Sequence, residues 1–385
     1  MKPFDGVWIW GIGDAGKFVT RYFDKFGFNI LGIIDNNEKF VGQYYHGYQI
    51  YQFDSIKSRI RNDDLVLCCC SLNNYEAIKL DLKKIHNERF MHFYEYDFSD
   101  FIYAQTKKAY ITYVNSVSRV CSETDFDSKR FDDIAGELGW NGSTYKHRKL
   151  WEWVFIISVL RNHGMIKPGK RGLGFAVGVE PLPSFFASNG VDVLASDLNC
   201  QNDNAIMWAS KNQNILGNKD RLWYSNICTK EQFNSHVSYR DIDMNYIPIE
   251  EHEYDFCWSS CAIEHIGSLD LSKTFLKNML STLRSGGVAI HTTEFNLSSN
   301  KDTIKTGESV IFRRRDLEEM RDWFVSQGHL MALSFGREKT EGNSYIDIPP
   351  FTSEYRPYHL TLVANGFVET SFGIVVIKDG LKQCL

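Results

Sequence analysis

The chain has 385 residues, 43% of them apolar and 24% charged, which suits two or three globular domains of ~100–200 residues with a large core and excludes a mainly disordered protein. Its formal charge of −5 gives no electrostatic footing on nucleic acid or an anionic membrane. The longest apolar stretch, Trp153–Leu160, is far short of the ~20 residues a membrane span needs.

The first element in the chain is a β-type run, Val7–Trp10, followed by the glycine turn Gly11-Ile-Gly13-Asp-Ala-Gly16 and a helical stretch, Lys17–Lys25. Phe28–Ile34 reads as a second strand ending at Asp35, Leu65–Cys70 as another, Tyr75–Ile85 as a helix and Phe90–Tyr96 as a strand. Strands alternating with helices predict a βαβ module over residues 1–105. Residues 106–148 are irregular, with a charged run from Asp125 to Asp133 and a turn-like Trp140-Asn-Gly-Ser-Thr, and read as a connector with some helix.

A second module spans 149–385. A helix over Lys149–Asn162 leads through Lys167-Pro-Gly169 to a second glycine turn, Gly172-Leu-Gly174-Phe-Ala-Val-Gly178, and a helix over Pro181–Ser188. Val191–Ser196 is the next strand, ending at Asp197. Strand Tyr254–Ser260, helix Leu271–Leu283 and strand Gly287–Thr293 follow, then helix Asp316–Gln327 and strands Leu330–Phe335 and Phe372–Lys378. The expected fold class is therefore α/β, with two Rossmann-like modules.

Both modules place a glycine turn between a strand and a helix, with an acid at the end of the next strand. Such a turn lets the backbone approach a nucleotide, and the acid accepts ribose hydroxyls. In the first module these residues are Gly11, Gly13, Gly16 and Asp35; in the second they are Gly172, Gly174, Gly178 and Asp197.

The second module carries more. Gly174-Phe-Ala-Val-Gly-Val-Glu-Pro-Leu-Pro, Ala195-Ser-Asp197, Arg240-Asp-Ile-Asp243, Tyr254-Asp-Phe-Cys-Trp-Ser-Ser-Cys-Ala-Ile-Glu-His265 and Leu283-Arg-Ser-Gly-Gly287 resemble successive motifs of the class I, Rossmann-like S-adenosylmethionine-dependent methyltransferases. The resemblance covers about residues 170–380. It implies S-adenosylmethionine as cofactor, a sheet closed by an antiparallel C-terminal hairpin, ribose contacts at Asp197, adenine contacts at Asp241 and Asp243, and a cofactor contact at Ser259. The family places an acid before its first glycine, near the methionine amine. Lys170-Arg171 stand there in this chain, and Glu180 is the candidate substitute.

The first module resembles the small Rossmann-like nucleotide- or nucleotide-sugar-binding domains of bacterial glycan-modifying proteins, through Gly32-Ile-Ile-Asp-Asn-Asn-Glu-Lys-Phe-Val-Gly42 and Gly47-Tyr-Gln-Ile50. It implies a nucleotide or nucleotide-sugar ligand there. The expected reaction is O-methylation of a sugar or glycan precursor in polysaccharide biosynthesis, on a small-molecule or glycan substrate. An alcohol nucleophile needs a base, and strand ends supply the candidates: His265 and Glu264 after strand four, His291 and Glu294 after strand five, and His359 near the hairpin. His265 is best placed. No cysteine pair with matching ligands predicts a metal site, although His291 with Glu294 has the right chemistry. Nine cysteines, three of them consecutive at 68–70, and an N-terminus without an apolar signal region lead to the expectation of a cytoplasmic protein with reduced thiols; a homo-oligomer stays open. Two other readings remain: an NAD-dependent oxidoreductase or epimerase using the first glycine turn, against which no Tyr-x-x-x-Lys set is found, and a non-catalytic nucleotide-binding scaffold.

Overall fold

The computed structural model describes residues 6–98, 117–140, 145–211, 213–351 and 357–380. Parts of the predicted connector, 106–116 and 141–144, lie outside them. The chain divides into two compact units: 1–104 with 339–369, and 105–338 with 370–385.

In the first unit, β1 (Val7–Trp10), α1 (Asp14–Lys25), β2 (Ile30–Ile34), β3 (Tyr44–Tyr45), β4 (Tyr48–Tyr51), β5 (Leu65–Cys68), α2 (Leu72–Lys84) and β6 (Phe90–His92) follow in order. The sheet runs β3-β4-β2-β1-β5-β6 and is parallel apart from the β3–β4 hairpin. Its strands are nearly continuous apolar runs because helices cover both faces of such a sheet. Trp8, Trp10, Ile34, Phe53, Val66 and Leu82 form the core on one side. The predicted strand over Phe90–Tyr96 is shorter: His92 caps a single 3₁₀ turn at Phe93–Glu95, ending the ladder.

Residues 339–369, which the sequence pattern assigns to the second module, pack in the first unit. Tyr345 stacks on Tyr94 with ring centroids 5.3 Å apart, and Arg21 lies 4.3 Å over the Phe367 ring. Thr361–Ala364 pairs antiparallel with the first residues of Phe367–Ile377, and of the predicted terminal strands Leu330 meets Ile377 in an antiparallel bridge.

In the second unit, β7 (Ser118–Val120) and α3 (Lys129–Glu137) precede α4 (Arg148–Asn162). Then come β8 (Arg171–Gly174), α5 (Leu182–Ser188), β9 (Asp192–Asp197), α6 (Asp203–Ser210), β10 (Val237–Asp241), β11 (Tyr254–Ser260), α7 (Leu269–Asn278), β12 (Leu283–Asn296), α8 (Arg314–Ser326) and β13 (Phe367–Ile377). The strand order is β10-β9-β8-β11-β12-β13, with β8 to β12 parallel. The chain moves outward from β8 to β10 and then returns to the other side of β8 at β11. This reversal opens a crevice beyond the carboxyl ends of β8 and β11, where open α/β sheets bind ligands.

One glycine assignment needs correction. Gly172 and Gly174 are not in the turn but inside β8, facing β11. A Cβ at Gly172 would lie 2.4 Å from the Phe256 ring, and one at Gly174 would lie 2.4 Å from the Trp258 ring. These glycines exist to admit two large rings into the core. The turn begins after them, with Ala176 (φ 46°) and Gly178 (φ 53°) both left-handed. A Cβ on Gly178 would also meet the Gln213 carbonyl at 2.7 Å, so glycine is required there on both counts.

Candidate active site

The crevice is a cavity of about 1000 Å³ within the second unit, lined by the β8–α5 turn, the ends of β9 and β11, the segment after β10, and α4. At one end stands Asp197, the last residue of β9. It is nearly buried, and its two oxygens accept backbone hydrogen bonds from Leu198 (2.8 Å) and Gly178 (3.2 Å). These bonds aim the carboxylate into the cavity and leave lone pairs for a ligand. Burial raises its pKa to about 6. Ile242, Asp243 and Met244 line the same end, as do Asn204 and Met207 of α6. Asp241 does not line it: it is exposed and bonds Asn199 Nδ2 (2.7 Å) and the Tyr239 hydroxyl (3.0 Å).

Midway, Glu180 follows the turn, accepting a 2.6 Å hydrogen bond from the Trp258 indole. Burial pushes its carboxyl up to about 8, so it is ready to ionise against an incoming cation. Tyr224 closes over it, donating to the Val179 carbonyl.

The other end is polar and heavily charged. The 3₁₀ turn Ile263–His265 after β11 puts the His265 ring against Trp208, centroids 4.4 Å apart. Its Nδ1 lies 2.7 Å from the Glu308 carbonyl. A carbonyl can only accept, so Nδ1 carries the hydrogen and Nε2 has the free lone pair. Burial lowers the ring's pKa below its ordinary value, which keeps it neutral. Glu294, late in β12, pairs with Arg148 of α4 at 2.5 Å. Glu152, one turn along α4, is fully buried and accepts from Lys149 (2.9 Å), Ser260 (3.0 Å) and Ser371 (2.5 Å). Burial works against its charge, but Lys149 and Arg148 outweigh it and hold the carboxyl at about 2. Glu264 is fully buried beneath these groups, 3.9 Å from His265 Nε2, and burial together with Glu294 raises its pKa to about 8. Trp140 and Trp153, ring centroids 5.5 Å apart, form an aromatic wall on this side.

Of the residues singled out by sequence, the cavity thus brings together Gly178, Glu180, Asp197, Asp243, His265 and Glu294, with Glu264 directly behind. It does not include His291 or Ser259. Both are fully buried in the sheet, bonded to each other at 2.8 Å. Burial drives His291 down to about 3, so it is a neutral core group. His359 belongs to the first unit, where it bonds Asp347 at 2.7 Å. Arg148, Lys149 and Glu152 are not legible as site residues; the only signal is a helix placed before the first strand of the module.

In the first unit the sequence constellation closes on itself. Asp35 accepts from the backbone N–H of Ile12 (2.9 Å) and Asn37 (2.8 Å), tying the acid to the glycine turn. Gly11 has φ 103°, and a Cβ on Gly16 would lie 1.7 Å from the Gly11 carbonyl. A Cβ on Gly13 would meet nothing, so open space stands at the start of α1.

A family model described as methyltransferase domain matches residues 183–291, and one described as C2185-like, N-terminal matches residues 5–91. Among solved structures, a S-adenosylmethionine-dependent methyltransferase from Clostridium acetobutylicum is similar at 15% identity and a TM-score of 0.34, over 65% of this chain and 98% of that one. A TehB-like SAM-dependent methyltransferase from Corynebacterium glutamicum is similar at 15% identity and a TM-score of 0.30, over 66% and 97%. For a SAM-dependent methyltransferase from Aquifex aeolicus the values are 11% and 0.31, over 57% and 88%. No curated protein matches the chain. No described helix is long and apolar enough to cross a membrane.

Proposed function

We propose, from the premise that this chain carries a methyltransferase domain using S-adenosylmethionine, that it methylates a hydroxyl oxygen of a sugar or glycan precursor, with His265 as general base and the N-terminal unit holding a nucleotide or nucleotide-sugar group. The observation that carries the reading is the fixed tautomer of His265: Nδ1–H is spent on the Glu308 carbonyl, so a basic Nε2 remains at the cavity wall. An alcohol must lose its proton as the new bond forms, whereas a neutral amine already has its lone pair.

The described residues fit the cofactor. Asp197 would accept the ribose hydroxyls, residues 242–244 would line the adenine, and Glu180 would face the methionine amine. When bound, S-adenosylmethionine supplies a methyl group already activated on a sulfonium. The chain's own work is to orient the acceptor, exclude water and take its proton. Trp140 and Trp153 offer an apolar face of the kind sugar rings stack on. In the N-terminal unit, the Asp35–glycine turn and the free start of α1 suit a ribose and a phosphate. The reading sets the reaction in the cytoplasm, where the free thiols of Cys68, Cys69 and Cys70 stay reduced.

The test is transfer of labelled methyl from S-adenosylmethionine to a panel of nucleotide-sugars, sugars and amines, with nucleotide-sugar binding measured in parallel on wild type and Asp35→Ala. Label in an ether-linked methyl on sugar, and nucleotide-sugar binding lost in Asp35→Ala, are expected. Transfer to amines alone would sink the O-methylation reading, and binding of NADH in place of nucleotide-sugars would sink the reading of the N-terminal unit.

A further inference from the structure

The proton acceptor does not account for the buried carboxylates beside it. Sγ of Cys261 and one oxygen each of Glu264 and Glu294 lie within 4.8 Å of one another. Neither oxygen of Glu264, nor Oε2 of Glu294, has a hydrogen-bond partner among the described residues, although both side chains are almost wholly shielded from solvent. Buried polar atoms without partners are rare and costly. Arg148 pairs with Glu294 and Lys149 with Glu152, and among the described residues Glu264 is paired only with the His265 ring, at 3.9 Å. Cys261 is held at a left-handed φ of 48°, a conformation unfavourable for a non-glycine residue and concentrated at functional sites. Its backbone N–H is pinned to Thr292 Oγ1 at 3.0 Å.

We propose that Cys261, Glu264 and Glu294 bind a divalent transition metal of the zinc class at the wall of the cavity. One sulfur and two carboxylate oxygens are a donor set that zinc accepts, and three protein ligands with a fourth position open is the pattern of catalytic rather than structural zinc. A tetrahedral ion about 2.0–2.3 Å from each donor sets them about 3.3–3.8 Å apart, so small side-chain rotations close the present cluster. The outer groups are in place: the Cys261 thiol is 3.0 Å from Glu152 Oε1, and Arg148 holds the second oxygen of Glu294. Cys261 and Glu294 both line the cavity, so the open position faces the acceptor end. There it would hold an acceptor oxygen beside His265. The binding itself does not depend on His265 acting as a base.

Metal-free protein is titrated with Zn²⁺ by calorimetry and with Co²⁺ by absorption spectroscopy, alongside Cys261→Ser and Glu264→Gln. Wild type is expected to take up about one ion per chain, with a thiolate-to-cobalt charge-transfer band. Cys261→Ser loses the band, and Glu264→Gln weakens uptake at least about tenfold, while both still bind S-adenosylhomocysteine, which shows them folded. Absence of uptake by wild type, or uptake without the thiolate band, overturns the proposal whether or not the variants fold. So does a protonated-carboxyl infrared band that Glu264→Gln removes and that persists in wild type at saturating zinc, because Glu264 would then hold a proton in place of the metal.

Discussion

Asp197→Ala is expected to weaken S-adenosylhomocysteine binding by at least about 100-fold. A hydrogen bond to a charged group contributes about 1.5–3 kcal/mol, and two ribose hydroxyls on one carboxylate make such a loss the lower bound at about 1.4 kcal/mol per tenfold. The substitution also frees the backbone N–H groups of Gly178 and Leu198, so folding of the variant is checked by thermal unfolding. Asp241→Ala is the matched control. Asp241 sits at the corresponding end of β10, in register with Asp197, but is exposed and directed away from the cavity, so affinity stays within about threefold for a surface change. Because burial raises the Asp197 pKa to about 6, affinity should also decline as pH falls through 6, where the carboxylate loses its capacity to accept from both hydroxyls.

His265→Gln is expected to lower kcat for the acceptor found in the methyl-transfer screen by about 10²–10⁴-fold, the usual contribution of a general base, with S-adenosylhomocysteine affinity kept. Burial depresses the His265 pKa. The wild-type rate therefore has an acid limb on the acid side of the ordinary histidine value, as Nε2 takes up a proton and can no longer accept one. In His265→Gln that acid limb disappears. His291→Asn gives the contrast: His291 is locked in the core by Ser259, so its loss shows in thermal unfolding rather than in an acid limb.

The two histidines show how far the sequence reaches. His291 lies within an apolar strand, and a strand buried on both faces has no alternation to say which side chain turns inward. His265 differs in lying beyond the strand, on a turn, and that is legible. So is Asp197, because an acid ending the strand after a glycine turn has a fixed place in this topology. The glycines of β8 were not separable from those of the turn by pattern alone. Their cause is the rings of Phe256 and Trp258, more than 80 residues away in the chain. Distance in sequence also hid the charged end of the cavity: Arg148 and Glu152 on α4 meet Glu294 of β12 only after the sheet has formed. The same applies to residues 339–369, where no strand is read from the sequence and no motif separates the segment from the second module. Nothing in the sequence separates Trp153, which lines the cavity, from Trp151 and Trp258, which are fully buried, since aromatic residues bury wherever they can.

The central claim is that the crevice beyond β8 and β11 is a cofactor site, and calorimetric titration of S-adenosylhomocysteine into the wild-type protein tests it most directly. Binding of one equivalent at micromolar affinity, about −8 kcal/mol, is the expected result. A folded protein that takes up no S-adenosylhomocysteine at millimolar concentration would contradict it.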